Sequence, residues 1–367
     1  MKKVCHMTTV HTQQDTRIFI KECTTLFQAG YDLSLIVQHK QDEVLNGIKV
    51  LAVDNPNGHW KRMTKTVRQV YKQALECNAD IYHFHDPELI LIGLLLKRQG
   101  KKVIYDVHED LPKDIYYKPW IPKYFKLIIS KIAEKIERYA SKKFDAVVTS
   151  TPFIAQRFND YSTKKVVDIK NYPLLQADIA PVDWNLKKRT ICYISSNFII
   201  VRAIKEVIKA MGLVDAHLTL AGNLTDDILK QELSNQPGWN RVDLQGWVNK
   251  QGVVNIMKES VAGLSLYYPT ATNYYAIPTK MFEYMMAGIP VIASNLPYET
   301  EIINKYKCGI CVDPLSPKQI ADAINWLMDN PKEAEQMGLN GRTAVENEFN
   351  WKTEEIKLLS LYKELLG

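Results

Sequence analysis

Cysteine is sparse in these 367 residues, and the six that occur, at positions 5, 23, 77, 192, 308 and 311, are scattered. That scatter argues against a disulfide framework and fits the reducing cytoplasm. Cys308 and Cys311 have redox-motif spacing, yet they run into Val312-Asp313-Pro314 instead of opening a helix, and read as strand-core cysteines. A structural zinc site would need a second ligand pair, and none sits at a useful spacing. No apolar run approaches the ~20 residues needed to span a bilayer. Met1-Lys2-Lys3 leads straight into a strand, without the apolar segment of a signal peptide. Low-complexity tracts, internal repeats and nucleic-acid recognition motifs are also missing, so nucleic acid is not an expected partner.

What is present is a globular composition, 46% hydrophobic and 24% charged, long enough for two domains with their own cores. The net charge of +6 is uneven: residues 1–175 hold 28 Lys and Arg against 19 Asp and Glu. Its densest part, Lys118 to Lys143, has eight basic and two acidic residues. There Ile121, Phe125, Ile128, Ile132, Ile136 and Tyr139 recur at helical spacing. One reading is a core helix with a solvated basic face. The other is a basic amphipathic helix, with Trp120 and Tyr124 as interfacial aromatics, docking on an anionic membrane such as the inner face of the plasma membrane.

Short apolar strands alternate with helical stretches: Val4 to Met7, a helix near 16–29, Leu33 to Val37, a helix near 60–77, Ile81 to His85, a helix near 87–99, Val103 to Asp106, the basic helix, and Ala146 to Thr149. This is a βαβ rhythm. It restarts after Tyr172-Pro173, with strands at Thr190 to Ile194, His217 to Ala221, Val242 to Gln245, Gly263 to Leu266, Val291 to Ala293 and Gly309 to Val312. The expected division is 1–172, 173–350 and a final helix, 351–367, returning to the first domain. Ligands of open parallel sheets bind beyond the carboxyl ends of the strands.

The most informative stretch is Ile277 to Asn295, in which Glu283 lies early in a helical run containing Met281, Phe282, Met285 and Met286. Gly288 and Pro290 end that run, and Val291-Ile292-Ala293 follows as a buried strand. A carboxylate can accept hydrogen bonds from ribose hydroxyls, and a helix start can present N–H groups to a diphosphate. Pro278, Lys280, Glu283, Tyr284 and Met285 resemble the Pro-x-Lys-x-x-Glu-Tyr-Met motif of a branch of retaining glycosyltransferase family 4 found in surface polysaccharide assembly. The resemblance implies an α/β GT-B fold: two doubly wound Rossmann-like domains facing across a cleft that holds the active site. Where the family carries an earlier Glu and a Gly-Phe-Gly loop, this chain has Tyr275 and Ala276-Ile277-Pro278.

The resemblance also implies the site residues. On the donor side, Ser195, Ser196 and Asn197 stand where a Gly-rich turn approaches the diphosphate, and Arg202 matches the cation that neutralises it, with Lys280 as a second. Glu283, Tyr275, Ala276, Ile277 and Pro278 fall in the donor motif, and Trp247 and Val248 beside the base, although a buried structural role suits Trp247 equally. On the acceptor side, His108 in Val103-Ile-Tyr-Asp-Val-His-Glu matches a functional His facing the transferred sugar, with Glu109 next to it. His11, Asp15 and Arg17 fall in a loop near the acceptor, where Asp15 or Thr16 can cap a helix and Arg17 can form a surface pair with Glu22. His83 and His85 alternate on one strand face, but only Asp86 follows them, so they read as structural histidines. Asp106, Asp110, Asp226 and Asp227 read as loop carboxylates. No metal or other cofactor is expected beyond the donor substrate.

The implied activity is retaining transfer from a nucleoside-diphosphate sugar to a lipid-linked or oligosaccharide acceptor. A non-catalytic homologue, acting as a partner subunit or glycan-binding module, is the alternative, motivated by Tyr275, Ser195 and Ser196.

Overall fold

The computed structural model describes every residue except 56–57, 59–60, 119 and 176–182. The chain divides into two compact units, Met1–Asn171 with Trp351–Gly367, and Tyr172–Asn350.

The first unit contains an eight-stranded sheet. Its strands are β1 (Lys3–Thr12), β2 (Asp32–Gln38), β3 (Glu43–Leu45), β4 (Ile48–Val53), β5 (Ile81–Phe84), β6 (Lys102–Val107), β7 (Ala146–Thr149) and β8 (Val166–Asp168). Their order is β3-β4-β2-β1-β5-β6-β7-β8, parallel except for the short edge strand β3. Because β5, β6 and β7 are covered on both faces, they are nearly all buried. In register, His6 of β1 lies opposite His83 of β5, and Phe84 lies opposite Tyr105 of β6. The helix Trp351–Leu366 belongs to this unit: Trp351 Nε1 donates to Thr25 Oγ1 (2.9 Å), and Glu354 accepts from the Lys170 N–H (2.9 Å). The helical stretch expected near 60–77 runs Arg62–Cys77 as a wide turn and an α-helix, while residue 60 lies outside the described residues.

The basic segment forms the helix Lys123–Ser141, but it does not bury the face its periodicity picks out. Phe125, Ile128, Ile132, Ile136 and Tyr139 are each 50–59% exposed, and Tyr124 is 90% exposed. The inward edge carries Ser130, Glu137, Ala140 and Ser141. Glu137 accepts from the Tyr105 hydroxyl (3.0 Å) and Arg157 Nη1 (2.8 Å), and Ser130 Oγ donates to the Pro112 carbonyl. Of the expected stripe, Ile121 alone is buried. The core-helix reading is therefore corrected: polar anchors bind the helix to the sheet and turn its apolar stripe outward.

The second unit is a six-stranded, wholly parallel sheet, ordered β11-β10-β9-β12-β13-β14. The strands are β9 (Thr190–Asn197), β10 (His217–Asn223), β11 (Val242–Gly246), β12 (Ala262–Ser265), β13 (Val291–Ser294) and β14 (Gly309–Val312). Helix Thr279–Met286 is seated by Tyr284, whose hydroxyl accepts from the Ile194 N–H of β9 (2.9 Å) and whose ring fills the space where Gly263 has no Cβ. Any side chain at Gly263 would occupy the position of that ring. Both units are Rossmann-like, as expected. Among the described residues, no helix is long and apolar enough to cross a membrane.

Candidate functional site

The functional candidates gather at the carboxyl ends of the strands in each unit. In the second unit, β9 ends in Ser195, Ser196 and Asn197. Ser195 is buried, its hydroxyl donates to the Asn197 carbonyl (2.9 Å), and its own carbonyl packs against Gly222 where a Cβ would clash. Ser196 and Asn197 are exposed. Ala203 adopts the left-handed conformation (φ 51°), which favours glycine, just before helix Ile204–Met211.

Arg202 is fixed by a tyrosine of the loop after β12. Its Nη1 donates to the Tyr267 hydroxyl (3.0 Å), and the guanidinium lies 5.2 Å from that ring's centroid. Tyr267 is held in turn through its backbone by Ser294 Oγ, at 2.8 and 3.0 Å. No motif around Arg202 announces this support, which comes from the loop after β12.

Lys280 and Glu283 bind each other, Nζ to Oε2 at 2.6 Å, and both are about a third exposed. Glu283 lies in the second turn of its helix, not at its start. Pro278 occupies the cap position without a side-chain hydrogen bond, leaving the first N–H groups uncapped. Tyr275 and Ala276 are exposed, Ile277 is half-buried and Pro278 buried. Trp247, 71% exposed after a turn at Gly246 (φ 65°), is not the buried structural residue its sequence equally allowed; Val248 beside it is half-buried. Asp226 caps helix Asp227–Ser234 by accepting from the Leu229 N–H (3.0 Å).

Glu299 is the unexpected group of this unit. It is 1% exposed, its Oε2 has no hydrogen-bond partner, and burial lifts its carboxyl to about 7.

In the first unit the chemistry is buried. Asp106, read as a loop carboxylate, is a strand residue with no exposure. Arg17 grips it bidentately, Nε and Nη2 each at 2.9 Å, while Nη1 donates to the Ile169 carbonyl (2.8 Å). Arg17 is 4% exposed, so its placement as an accessible acceptor-site group and as half of a surface pair is corrected: the ordered helical segment from Thr16 carries it inward onto the sheet. Burial alone would raise Asp106, but Arg17, followed by His108, holds it well below the usual carboxylate range. Glu22 Oε1 is 3.1 Å from Arg17 Nε, yet that N–H is committed to Asp106, and neither Glu22 oxygen has a hydrogen bond. Burial, with Asp106 nearby, pushes the Glu22 carboxyl well up, while Arg17 pulls it back.

His108 follows β6 with Nε2 3.1 Å from Asp106 Oδ2, and its side chain is 20% exposed. The ionised carboxylate can only accept, so Nε2 carries the proton and Nδ1 is left as an acceptor. Glu109 is exposed beside it. His11 Nδ1 lies 3.0 Å from Asp15 Oδ2, and its ring is 5.1 Å from that of His108. Asp15 also accepts from the Arg17 and Ile18 N–H groups, as the expected cap. Asp86 accepts from Thr8 Oγ1 (2.7 Å) and the Thr9 N–H (2.6 Å), fixing the ends of β1 and β5 together.

Behind His108 lie His85, His6 and His83, all buried, with Tyr362 from the last helix. Burial depresses all three histidines well below the ordinary imidazole range, His85 to about 4. Among the described residues, two sets bring metal-capable atoms within 4.8 Å of one another: His6, Glu22, His83 and His85, and His85, Asp106 and His108. Sequence spacing brought out only the His83 and His85 pair.

Residues 18–171 match the family model described as Glycosyltransferase Family 4, and residues 176–344 match that described as Glycosyl transferases group 1. Over its full length the chain is similar to sucrose-phosphate synthase from Thermosynechococcus elongatus (16% identity, 99% of that chain, TM-score 0.77). It is likewise similar to Anabaena HepE solved with UDP and glucose (14% identity, 99% of this chain and all of that one, TM-score 0.74). Spore coat protein SA of Bacillus subtilis is 36% identical over 23% of this chain and 22% of its own length. D-rhamnosyltransferase WbpZ of Pseudomonas aeruginosa is 28% identical over 30% of this chain and 29% of its own. The chain thus matches under a third of the length of these curated relatives. By fold and by the two matched segments it is a GT-B protein of the glycosyltransferase family 4 kind.

Proposed function

We propose that the chain transfers a sugar, with retention at the anomeric carbon, from a nucleoside diphosphate to a hydroxyl of a lipid-linked or oligosaccharide acceptor in surface polysaccharide assembly. The observation that carries this reading is the set Arg202, Lys280 and Glu283, partly exposed beside the strand ends of the second unit. Without a donor, Lys280 and Glu283 neutralise each other. A diphosphate takes over Lys280 together with Arg202 and the uncapped N–H groups of helix Thr279–Met286, and Glu283 turns to the ribose hydroxyls. Trp247 is free to pack on the base, and Tyr275, Ala276 and Ile277 border the sugar.

His108 supplies the acceptor-side group. With Nε2–H held by Asp106, Nδ1 accepts from a sugar hydroxyl, and His11, Asp15 and Glu109 surround it. The leaving diphosphate takes the acceptor proton while Arg202 and Lys280 stabilise its charge. Basic groups and helix N–H groups answer the phosphate charge, so the reaction is assigned as metal-independent. The UDP bound by Anabaena HepE is consistent with a nucleotide-sugar donor.

The outward stripe of Phe125, Ile128, Ile132, Ile136 and Tyr139, flanked by Lys123, Lys126, Lys131 and Lys135, suits peripheral docking on an anionic membrane. Residues 118–143 would then bring the enzyme to a lipid-linked acceptor from the cytoplasmic side. Salt-sensitive co-sedimentation with anionic but not neutral vesicles is expected, and equal recovery with both would remove this docking mode.

The activity is tested by incubating the protein with nucleotide sugars and a lipid extract, then reading nucleoside diphosphate release and the anomeric configuration of the product by NMR. Retained configuration is expected. Inversion, or binding of nucleotide with no product, would contradict the proposal.

A further inference from the structure

The buried histidines are arranged in a way that the proposed transfer reaction does not require. His6 comes from β1, His83 from β5, His85 from the residue just past its end, and Glu22 from the helical segment Thr16–Cys23. His6 and His83 are adjacent through strand register, and His83 and His85 share a strand face. All four are at most 3% exposed.

The outer nitrogen of each ring is already held. His6 Nε2 and His83 Nδ1 meet the Tyr362 hydroxyl at 3.1 and 2.8 Å, and His85 Nδ1 meets Asp106 Oδ2 at 3.2 Å. That leaves His6 Nδ1, His83 Nε2 and His85 Nε2. His6 Nδ1 is 3.0 Å from His85 Nε2 and 3.9 Å from Glu22 Oε2. His83 Nε2 has no hydrogen-bond partner, and Glu22 Oε1 faces Arg17 Nε at 3.1 Å while Oε2 points toward His6. Buried polar atoms without partners are rare and ask for a physical reason.

We propose that His6, His83, His85 and Glu22 form a buried site for a first-row transition-metal dication of the zinc type. Bonds of about 2.1 Å in a tetrahedron put ligand atoms about 3.4 Å apart, a spacing bracketed by the two separations above. Three imidazoles and one carboxylate are a ligand set that zinc, iron and nickel accept. The outer partners are those that orient metal-bound histidines: a carboxylate on His85 and a shared hydroxyl on His6 and His83. Four protein ligands close the coordination shell, so the role is structural and the ion is distinct from the donor chemistry. It would join β1, β5 and the first helical segment, with Tyr362 drawing in the last helix.

Without an ion, the same groups form a chain of hydrogen bonds: His85 Nδ1–H to Asp106, His6 Nδ1–H to His85, Tyr362 O–H to His6 and His83 Nδ1–H to Tyr362. That chain ends on the unpartnered His83 Nε2. It is the rival that the experiment must exclude.

The whole protein, carrying no histidine tag, is purified from zinc-supplemented medium without chelator, and its metal is measured by plasma mass spectrometry. Stoichiometric zinc is expected, with a chelator lowering the thermal midpoint. Refolding in Co²⁺ should give the visible bands of a tetrahedral cobalt site. H83Q and E22Q should lose the metal and the chelator effect. If those variants fail to fold, Y362F keeps every ligand and should weaken zinc binding by about 10- to 100-fold through the lost outer contact. Absence of zinc in the purified protein, with no cobalt bands and no midpoint change on adding Zn²⁺, would overturn the site. Stoichiometric zinc unaffected by H83Q, E22Q and Y362F would overturn it too, because the ion would sit elsewhere.

Discussion

The two units share a fold plan but treat charge in opposite ways. Among the described residues, the first unit buries His6, Arg17, Lys21, Glu22, His83, His85, Asp86, Asp106, Asp110, Glu137 and Glu354, whereas the second buries one comparable group, Glu299. In the first unit, the charge at the strand ends is compensated inside the protein, with Arg17 on Asp106 and Asp106 on His108. In the second, Arg202, Lys280 and Glu283 remain partly exposed, held only by Tyr267 and by each other. The first arrangement fixes one imidazole in one orientation. The second keeps charges available to a ligand whose own charge has to be met.

The largest expected effect breaks this comparison on the buried side. Arg17→Met leaves Asp106 without its cation, and should destabilise the first unit by about 3–5 kcal/mol in urea unfolding. A loss under about 1 kcal/mol would mean that the buried pair is not what holds Asp106.

Glu299 tests the exception. Its folded carboxyl, at about 7, stands above its ordinary value of 4.5, so its contribution is fully present below about pH 4.5 and is lost as pH rises through 7. Glu299→Gln removes that titration. Relative to wild type, its stability should improve by about 3 kcal/mol between pH 4 and pH 8, from ~1.4 kcal/mol per pKa unit. Parallel pH profiles would show that Glu299 ionises normally.

On the exposed side, Arg202→Ala should lower turnover by about a hundredfold, close to 2.7 kcal/mol of barrier, while unfolding changes little. Unchanged turnover would remove Arg202 from the mechanism. The smallest effect is expected at Trp247→Ala, with stability within about 0.5 kcal/mol of wild type, as for an open surface position. A larger loss would mean that this indole packs as structure.

The same contrast explains what could be read from the sequence. The second unit's groups follow local order: Arg202 comes just after a strand, and Lys280 and Glu283 share one helix, so the resemblance to a contiguous family motif was enough to pick them out. The first unit's network comes from distant segments. His6 and His83 become neighbours only because β1 pairs with β5, and Tyr362 arrives from the far end of the chain. Arg17 looked like a loop cation because nothing nearby in sequence announces its partner 89 residues away. The basic helix was legible in its periodicity but not in its orientation. Period identifies an apolar face, whereas the anchors Glu137 and Ser130 decide which way that face points.

The central claim is that the second unit's open charges bind a nucleoside-diphosphate sugar. Thermal stabilisation by a panel of nucleoside diphosphates and their sugars tests it most directly, since a ligand of the folded state raises stability with its concentration. The account predicts a shift with one base, abolished in Glu283→Ala. No shift with any nucleotide in the folded protein, or an undiminished shift in Glu283→Ala, would contradict it.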